Sequence, residues 1–96
     1  MHALVVTVDP GSRSAEEGRR TLENEVVPRV KQNKGFLVGY WLAPKDGHAL
    51  SVTFYETADD AEAAHARIQV TQGVRLVSAD VRQVSASVQG AAAGQS

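Results

Sequence analysis

The sequence predicts an α+β domain of order β-α-β-β-α-β, a ferredoxin-like sandwich in which two helices cover one face of a four-stranded antiparallel sheet. Three observations predict this class. Apolar and β-branched residues form four short runs, and the middle two flank an Asp-Gly turn. Two capped, amphipathic segments separate this hairpin from the outer runs. The length of 96 residues fits one domain, which we place at residues 1–86, followed by a flexible tail at residues 87–96.

The first strand is predicted at Ala3–Asp9, which is apolar on both faces. Ser14 and Glu17 have the spacing of a capping box, which begins the first helix. An apolar stripe at three- and four-residue spacing follows this helix: Ala15, Gly18, Leu22, Val26 and Val30. Because Pro28 has no amide hydrogen to donate to the preceding turn, we expect a kink or a break near Val27.

Gly35 is predicted to end the first helix. The other strands are predicted at Phe36–Pro44, Ala49–Glu56 and Val74–Ala86. Asp46-Gly47 lies between the second and third strands and tolerates positive φ, which is typical of a hairpin turn. Thr57 caps a second helix, which we expect to run to about Val70 and to end at Gly73.

The predicted sheet has one face that its own helices leave uncovered. Two helices cover one face of a four-stranded sheet, yet the first two strands carry apolar residues on both faces. Because an exposed apolar face favours a partner, and a second copy of the same chain supplies one, we expect a homodimer whose sheets meet face to face.

The second helix contains a histidine in a predicted inward stripe. The members of this stripe are Ala58, Ala61, His65 and Ile68. His65 is therefore predicted to point toward the sheet, where it is a candidate general base or a ligand for a metal or haem iron. The alternative is a histidine at the edge of the core that bonds a backbone carbonyl.

The aromatic residues all lie in the central hairpin: Phe36, Tyr40, Trp41, Phe54 and Tyr55. Alternation along the second strand places Phe36 on the same face as Tyr40. Two pairs of rings are adjacent in the sequence, Tyr40–Trp41 and Phe54–Tyr55. In each pair, one ring is predicted to face the helices and the other the opposite side of the sheet. Polar-tipped rings favour a pocket for a flat ligand, although ordinary packing is also typical of them.

Composition and motif spacing exclude several kinds of function. The net charge of −1 provides no basic surface for nucleic acid, and no apolar run reaches membrane-helix length. The three histidines are scattered at His2, His48 and His65, and cysteine is absent, so we predict no protein-made metal site. No phosphate-binding glycine loop is present, and we expect no bound cofactor. The charge and the short apolar runs predict no nucleic-acid or membrane partner. Because cysteine is absent, we expect a cytoplasmic protein.

Four segments carry a family resemblance: Val26-Val27-Pro28, Lys34-Gly35-Phe36, the run from Asp46 to Thr57, and Ala64-His65. Together they resemble the antibiotic-biosynthesis-monooxygenase-like group of dimeric α+β barrels, over residues 3–85. Members of that group typically have Trp where this chain has Tyr55, and often Pro where it has Lys34.

The resemblance implies a small-molecule site between sheet and helices. Some members oxidise polycyclic phenols with O₂ and no metal or flavin; others degrade haem, using a helix-two His, a strand-three Trp and a strand-one Asn. Here His65 and Tyr55 stand at two of these positions, and strand one offers Thr7. The implied function is a cofactor-independent monooxygenase acting on an aromatic or polyketide-like substrate, with His65 as the catalytic base or an orienting donor and Thr7, Trp41 and Tyr55 binding the substrate. The alternatives are a non-catalytic ligand-binding or accessory dimer and, third, a haem-binding protein.

Overall fold

A computed structural model of the chain describes residues 1–90. The strands are β1 (His2–Asp9), β2 (Phe36–Lys45), β3 (His48–Tyr55) and β4 (Arg75–Gln83). The helices are α1 (Ala15–Thr21), α2 (Val27–Lys31) and α3 (Ala58–Ala66), with a π-helical turn at Leu22–Val26 that joins α1 to α2. The strands form one antiparallel sheet in the order β2-β3-β1-β4. The predicted α+β class is confirmed, and the arrangement is compatible with a ferredoxin-like fold.

The C-terminal segment follows β4. Residues 84–90 contain no helix or strand. The predicted flexible tail at residues 87–96 falls largely on residues 91–96, which lie outside the described residues.

The first helix begins at the predicted capping box. The amide of Glu17 donates to Ser14 Oγ at 3.1 Å, and the amide of Ser14 donates to Glu17 Oε1 at 3.1 Å. These two bonds satisfy donors that the first helical turn leaves unpaired. The local sequence therefore determines where the helix begins.

The capping box predicts a sensitivity to acid. Hydrogen bonds from the backbone amide and then the hydroxyl of Ser14 lower the pKa of Glu17 below its ordinary value of 4.5. A carboxyl group whose pKa is lowered by folding stabilises the protein fully above that ordinary value, and this stabilisation is lost as the pH falls through the folded-state pKa. We therefore expect the urea concentration at the unfolding midpoint to decrease as the pH is lowered from neutral to about 3.

The control for this prediction is Glu17→Gln, which keeps a capping-box side chain that does not titrate. This variant should lose less stability on acidification than the wild type. The pKa of Asp9 is also lowered, chiefly by the amide of Gly11, and contributes equally to both proteins. Identical acid dependence in wild type and variant would contradict a role for Glu17.

At the predicted kink or break near Val27, the chain forms the π-helical turn. The amide of Val27 donates to the carbonyl of Leu22, five residues earlier. Because Pro28 has no amide hydrogen, a regular α-helix would lose a bond at this point, and the wider turn accommodates the change. The helical path therefore continues to Lys31.

Strands β2 and β3 are joined by a turn whose backbone conformation only certain residues adopt readily. Asp46 has φ of +53° and Gly47 has φ of +81°. Two successive positive φ values between antiparallel strands are typical of a type I′ turn. The predicted hairpin is present, and the Asp-Gly pair explains its position.

Helix α3 is shorter than predicted. Thr57 caps it as expected, since its Oγ1 accepts the amide of Asp60 at 3.1 Å, but the helix ends at Ala66 and not near Val70. The residues that follow are rich in β-branched side chains, which favour helices less, and Ile68 packs against the core. Gly73, with φ of +87°, lies in the turn before β4.

The core lies where α3 packs on the sheet. Its buried members are Leu4, Tyr55, Ala61 and Ala64. The ring of Phe36 contacts Tyr55 edge to face, with ring centroids 5.9 Å apart. The prediction that Phe36 shares a face with Tyr40 is wrong, because a register shift between Phe36 and Val38 turns Phe36 toward the helices.

Within residues 1–90, no helix lies over the opposite face of the sheet. On β2 its side chains are Val38, Tyr40 and Leu42, which are 39%, 57% and 51% exposed. On β3 they are Leu50, Val52 and Phe54, all half-buried. An apolar face of this kind is the feature that the sequence predicted.

Candidate functional site

A cavity of about 800 Å³ separates the sheet from the first helical region, which comprises α1, the π-helical turn and α2. Its floor includes Leu4, Val6 and Val8 of β1. Its roof contains all members of the predicted apolar stripe: Ala15, Gly18, Leu22, Val26 and Val30. No residue of α1, the π-helical turn or α2 is buried, because this helical region stands away from the sheet. The apolar stripe therefore faces the sheet across a cavity and does not pack on it.

Trp41 lines this cavity from strand β2. Trp41 is the only tryptophan of the chain. Its ring lies across Gly39, where a Cβ atom would be 2.8 Å from Trp41 Cη2. Because Gly39 has no side chain, the indole can lie against the sheet and present its surface to the cavity.

Tyr55 lines the cavity from the end of strand β3. Its side chain is only 1% exposed. Its hydroxyl accepts a hydrogen bond of 3.4 Å from Asn33 Nδ2, and Asn33 also lines the cavity. Tyr55 therefore belongs both to the core and to the cavity wall. As predicted, one ring of each adjacent aromatic pair faces the helices: Trp41 and Tyr55.

Thr7 lies on the other face of the sheet. It is paired with Leu50 of β3 and Ser78 of β4, whereas the cavity is lined by its neighbours Val6 and Val8. Because successive side chains of a strand point to opposite faces, Thr7 does not reach the cavity.

His65 is also outside the cavity. Its side chain is 43% exposed, and its Nδ1 is 3.7 Å from Glu62 Oε1. The predicted inward orientation of His65 is wrong. From Ala61, both the third and the fourth following residue fit a helical stripe, and the structure buries the third, Ala64. Alanine at this position lets α3 lie close to the sheet.

Four arginines and an asparagine line the cavity without having been predicted to do so: Arg13, Arg19, Arg29, Arg67 and Asn33. The spacing from Leu22 continues through Val26 to Arg29 and Asn33 at intervals of four, three and four residues. This spacing would have assigned Arg29 and Asn33 to the inward stripe, but the stripe was counted from apolar residues only.

Two of these arginines connect the first helical region to the segment between α3 and β4. Arg13 donates to the carbonyl of Gln72 at 2.9 Å, and Arg29 donates to the carbonyl of Gln69 at 3.0 Å. This segment forms a side wall of the cavity, which includes Ile68. The two hydrogen bonds therefore close the cavity along one side.

Two other kinds of feature do not occur within residues 1–90. Within residues 1–90, no three His, Asp or Glu side chains lie together as a metal-binding group. In that same stretch, no helix combines the length and apolar character needed to cross a bilayer.

Comparison with known proteins leaves the cavity as the basis for any functional argument. No family model matches the chain, and neither the curated proteins nor the solved structures gave a match. The resemblance to antibiotic-biosynthesis monooxygenases therefore stays a prediction. The fold and the site define an α+β protein with a largely apolar cavity between its sheet and its first helical region.

Proposed function

We propose that this protein binds a flat aromatic or polyketide-like molecule in the cavity. The observation that carries this proposal is the cavity itself, about 800 Å³ in volume and lined by Trp41 and Tyr55. Ligand sites in proteins are typically clefts of roughly 300–1,000 Å³ with apolar and aromatic walls and a few polar groups. Asn33 and the Tyr55 hydroxyl supply such polar groups here.

The single tryptophan provides a direct test. Titration with juglone, anthrone, flavin or haem should quench the fluorescence of Trp41 in a saturable way if one of them binds. Gly18→Leu should abolish this quenching, because Gly18 lines the cavity and has no neighbouring atom within 4 Å of an added Cβ. Leucine also favours the helix more than glycine does, so the variant should fold normally.

The matched control is Ala63→Leu, which adds the same side chain on the exposed side of α3. Ala63→Leu should bind like the wild type. Saturable quenching that persists unchanged in Gly18→Leu would place the ligand outside the cavity, and no quenching by any of the four compounds would count against the proposed ligand class.

We further propose oxidation by O₂ as the catalytic form of this function. In a substrate such as anthrone, the reacting CH₂ group would become a carbonyl: one oxygen atom enters the product and the other leaves as water with both hydrogens, so the substrate supplies all four electrons. A largely apolar cavity supports such chemistry because it limits access of water to the reacting carbon. The test is oxygen uptake with anthrone, with one O₂ expected per molecule converted.

The second candidate is a non-catalytic ligand-binding dimer. The observation that favours it is the exposed position of His65, which leaves the cavity without the predicted base. This alternative predicts that anthrone quenches the fluorescence of Trp41, while oxygen uptake is no faster with the protein than with anthrone alone. Haem binding, the third reading, would appear as a shift of the haem absorption band on mixing.

We also propose that the uncovered sheet face pairs with a second copy of the chain. Val38, Tyr40 and Leu42 supply exposed apolar surface on β2. The half-buried side chains of β3 extend this surface across the sheet. A stable homodimer buries roughly 1,200 Å² or more in total, and the face of a four-stranded sheet is suited to that requirement.

A charge placed on this face should prevent dimer formation. We expect Tyr40→Glu to be a monomer in sedimentation experiments at concentrations where the wild type is a dimer, because pairing the faces would bury the new carboxylate. Val88→Glu is the control, since Val88 lies beyond β4. A monomeric wild type, or a Tyr40→Glu variant that dimerises normally, would contradict the proposed interface.

A further inference from the structure

One end of the cavity carries positive charge without an acidic partner. Arg29 and Arg67 both line the cavity, and Arg29 bonds the carbonyl of Gln69, two residues after Arg67. The ion pairs within residues 1–90 join Arg19 to Glu23, Arg20 to Glu16, His65 to Glu62, and Arg75 to Asp9. Neither Arg29 nor Arg67 takes part in these pairs.

Within residues 1–90, Glu16 is the one acidic residue that lines the cavity, and it lies on a different helix from Arg29. Glu16 lies in the first turn of α1, whereas Arg29 lies in α2. Arg20 already holds the Glu16 carboxylate at 2.9 Å. The charge at the Arg29 end is therefore not balanced by a residue of the cavity wall.

Neutral hydrogen-bond donors line the same cavity. Asn33 follows Arg29 by four residues, just beyond the end of α2, and its amide donates to the hydroxyl of Tyr55. In this bond the hydroxyl accepts, so its own proton is available to a further acceptor. Arg29 uses one N–H on the Gln69 carbonyl, and a guanidinium group has five. Arg29 therefore keeps N–H groups that it does not use on the Gln69 carbonyl.

We propose that Arg29, Asn33 and Tyr55 form a subsite for an anionic oxygen, so that the ligand is an apolar molecule with one carboxylate or phenolate group. This inference rests on the proposed binding function and adds the charge of the ligand to it. A guanidinium group matches the planar geometry of a carboxylate, and an apolar cavity strengthens their attraction because it lowers the local dielectric constant. The apolar walls hold the body of the ligand while the subsite orients its charged end.

A matched pair of probes tests this subsite in the wild-type protein. By calorimetric titration, 2-naphthoate should bind about tenfold more tightly than 2-naphthamide, which has a similar shape and no charge. In Arg29→Met the two probes should bind about equally, because naphthoate loses its partner while naphthamide keeps the apolar walls. Unchanged naphthamide affinity also reports that the variant has kept its cavity.

The control variant is Lys31→Met, which removes one positive charge from an exposed position on the same helix. It should preserve the preference for naphthoate. If Arg29→Met folds poorly, Arg29→Gln provides a second variant, which should reduce the same preference because it also removes the positive charge. Equal affinities for the two probes in the wild type would overturn the anion subsite but leave the binding function standing, and failure of both probes to bind would overturn both proposals.

Discussion

Replacing Tyr55 with alanine is expected to reduce the free energy of unfolding by about 3–5 kcal/mol, the range for removal of a large buried aromatic ring. Tyr55 is the largest fully buried side chain within residues 1–90 and lies in the core beside Leu4. Its ring also supports Phe36 in an edge-to-face contact. Because a small domain has only about 5–15 kcal/mol of stability in total, this variant should be substantially destabilised or unfolded.

The matched variant Tyr55→Phe separates the ring from its hydroxyl. It keeps the packing and removes only the bond from Asn33, which is long at 3.4 Å. We therefore expect a loss of no more than about 1 kcal/mol. Urea unfolding at one fixed protein concentration measures both variants, since a dimer's stability depends on concentration. Similar losses in the two variants would show that the ring does not hold the core together.

The second large effect is expected for Gly35→Ala, because two separate penalties act at this position. Gly35 has φ of +74°, a conformation that disfavours residues with a Cβ atom by about 1–2 kcal/mol. An added Cβ would also collide with the carboxylate of Asp60 on α3. The backbone cannot easily move away, since the carbonyl of Gly35 accepts the amide of Glu56 at 2.9 Å. We expect a total loss of more than about 2 kcal/mol.

Gly47→Ala isolates the first of these penalties. Gly47 has φ of +81° and open space around an added Cβ, so this variant should lose only the backbone contribution. Adding Asp60→Ala to Gly35→Ala should recover part of the stability, because it removes the atoms that collide. Urea unfolding of the three variants and of Asp60→Ala alone completes the comparison. Equal losses for Gly35→Ala and Gly47→Ala would refute the collision with Asp60.

The features that the sequence predicted correctly depend on neighbouring residues. The Ser14–Glu17 capping box, the Thr57 cap and the Asp46-Gly47 turn each arise from contacts within four residues along the chain. Local chemistry of this kind can be recognised without knowledge of the tertiary structure. The alternation that separates Trp41 from Tyr40 belongs to the same category.

The incorrect predictions depend on packing between distant segments. His65 was assigned to the inward face because spacing alone does not distinguish it from Ala64, and the contact of α3 with the sheet decides between them. Phe36 faces the helices because of a register shift against β3, which no local pattern indicates. Arg29 was overlooked because a charged residue was not expected on an apolar stripe, although a cavity accommodates one.

The absence of buried residues from the first helical region has a consequence for how this protein can change. The core lies under α3, whereas the cavity lies under α1, the π-helical turn and α2. Substitutions at Leu22, Val26 or Val30 therefore alter the shape of the cavity at little cost to the core, since none of these side chains is buried. The helical wall of the cavity is therefore evolvable, although Leu4 and Tyr55 of the core also line the cavity, so that new ligand preferences can arise there without first acquiring extra stability.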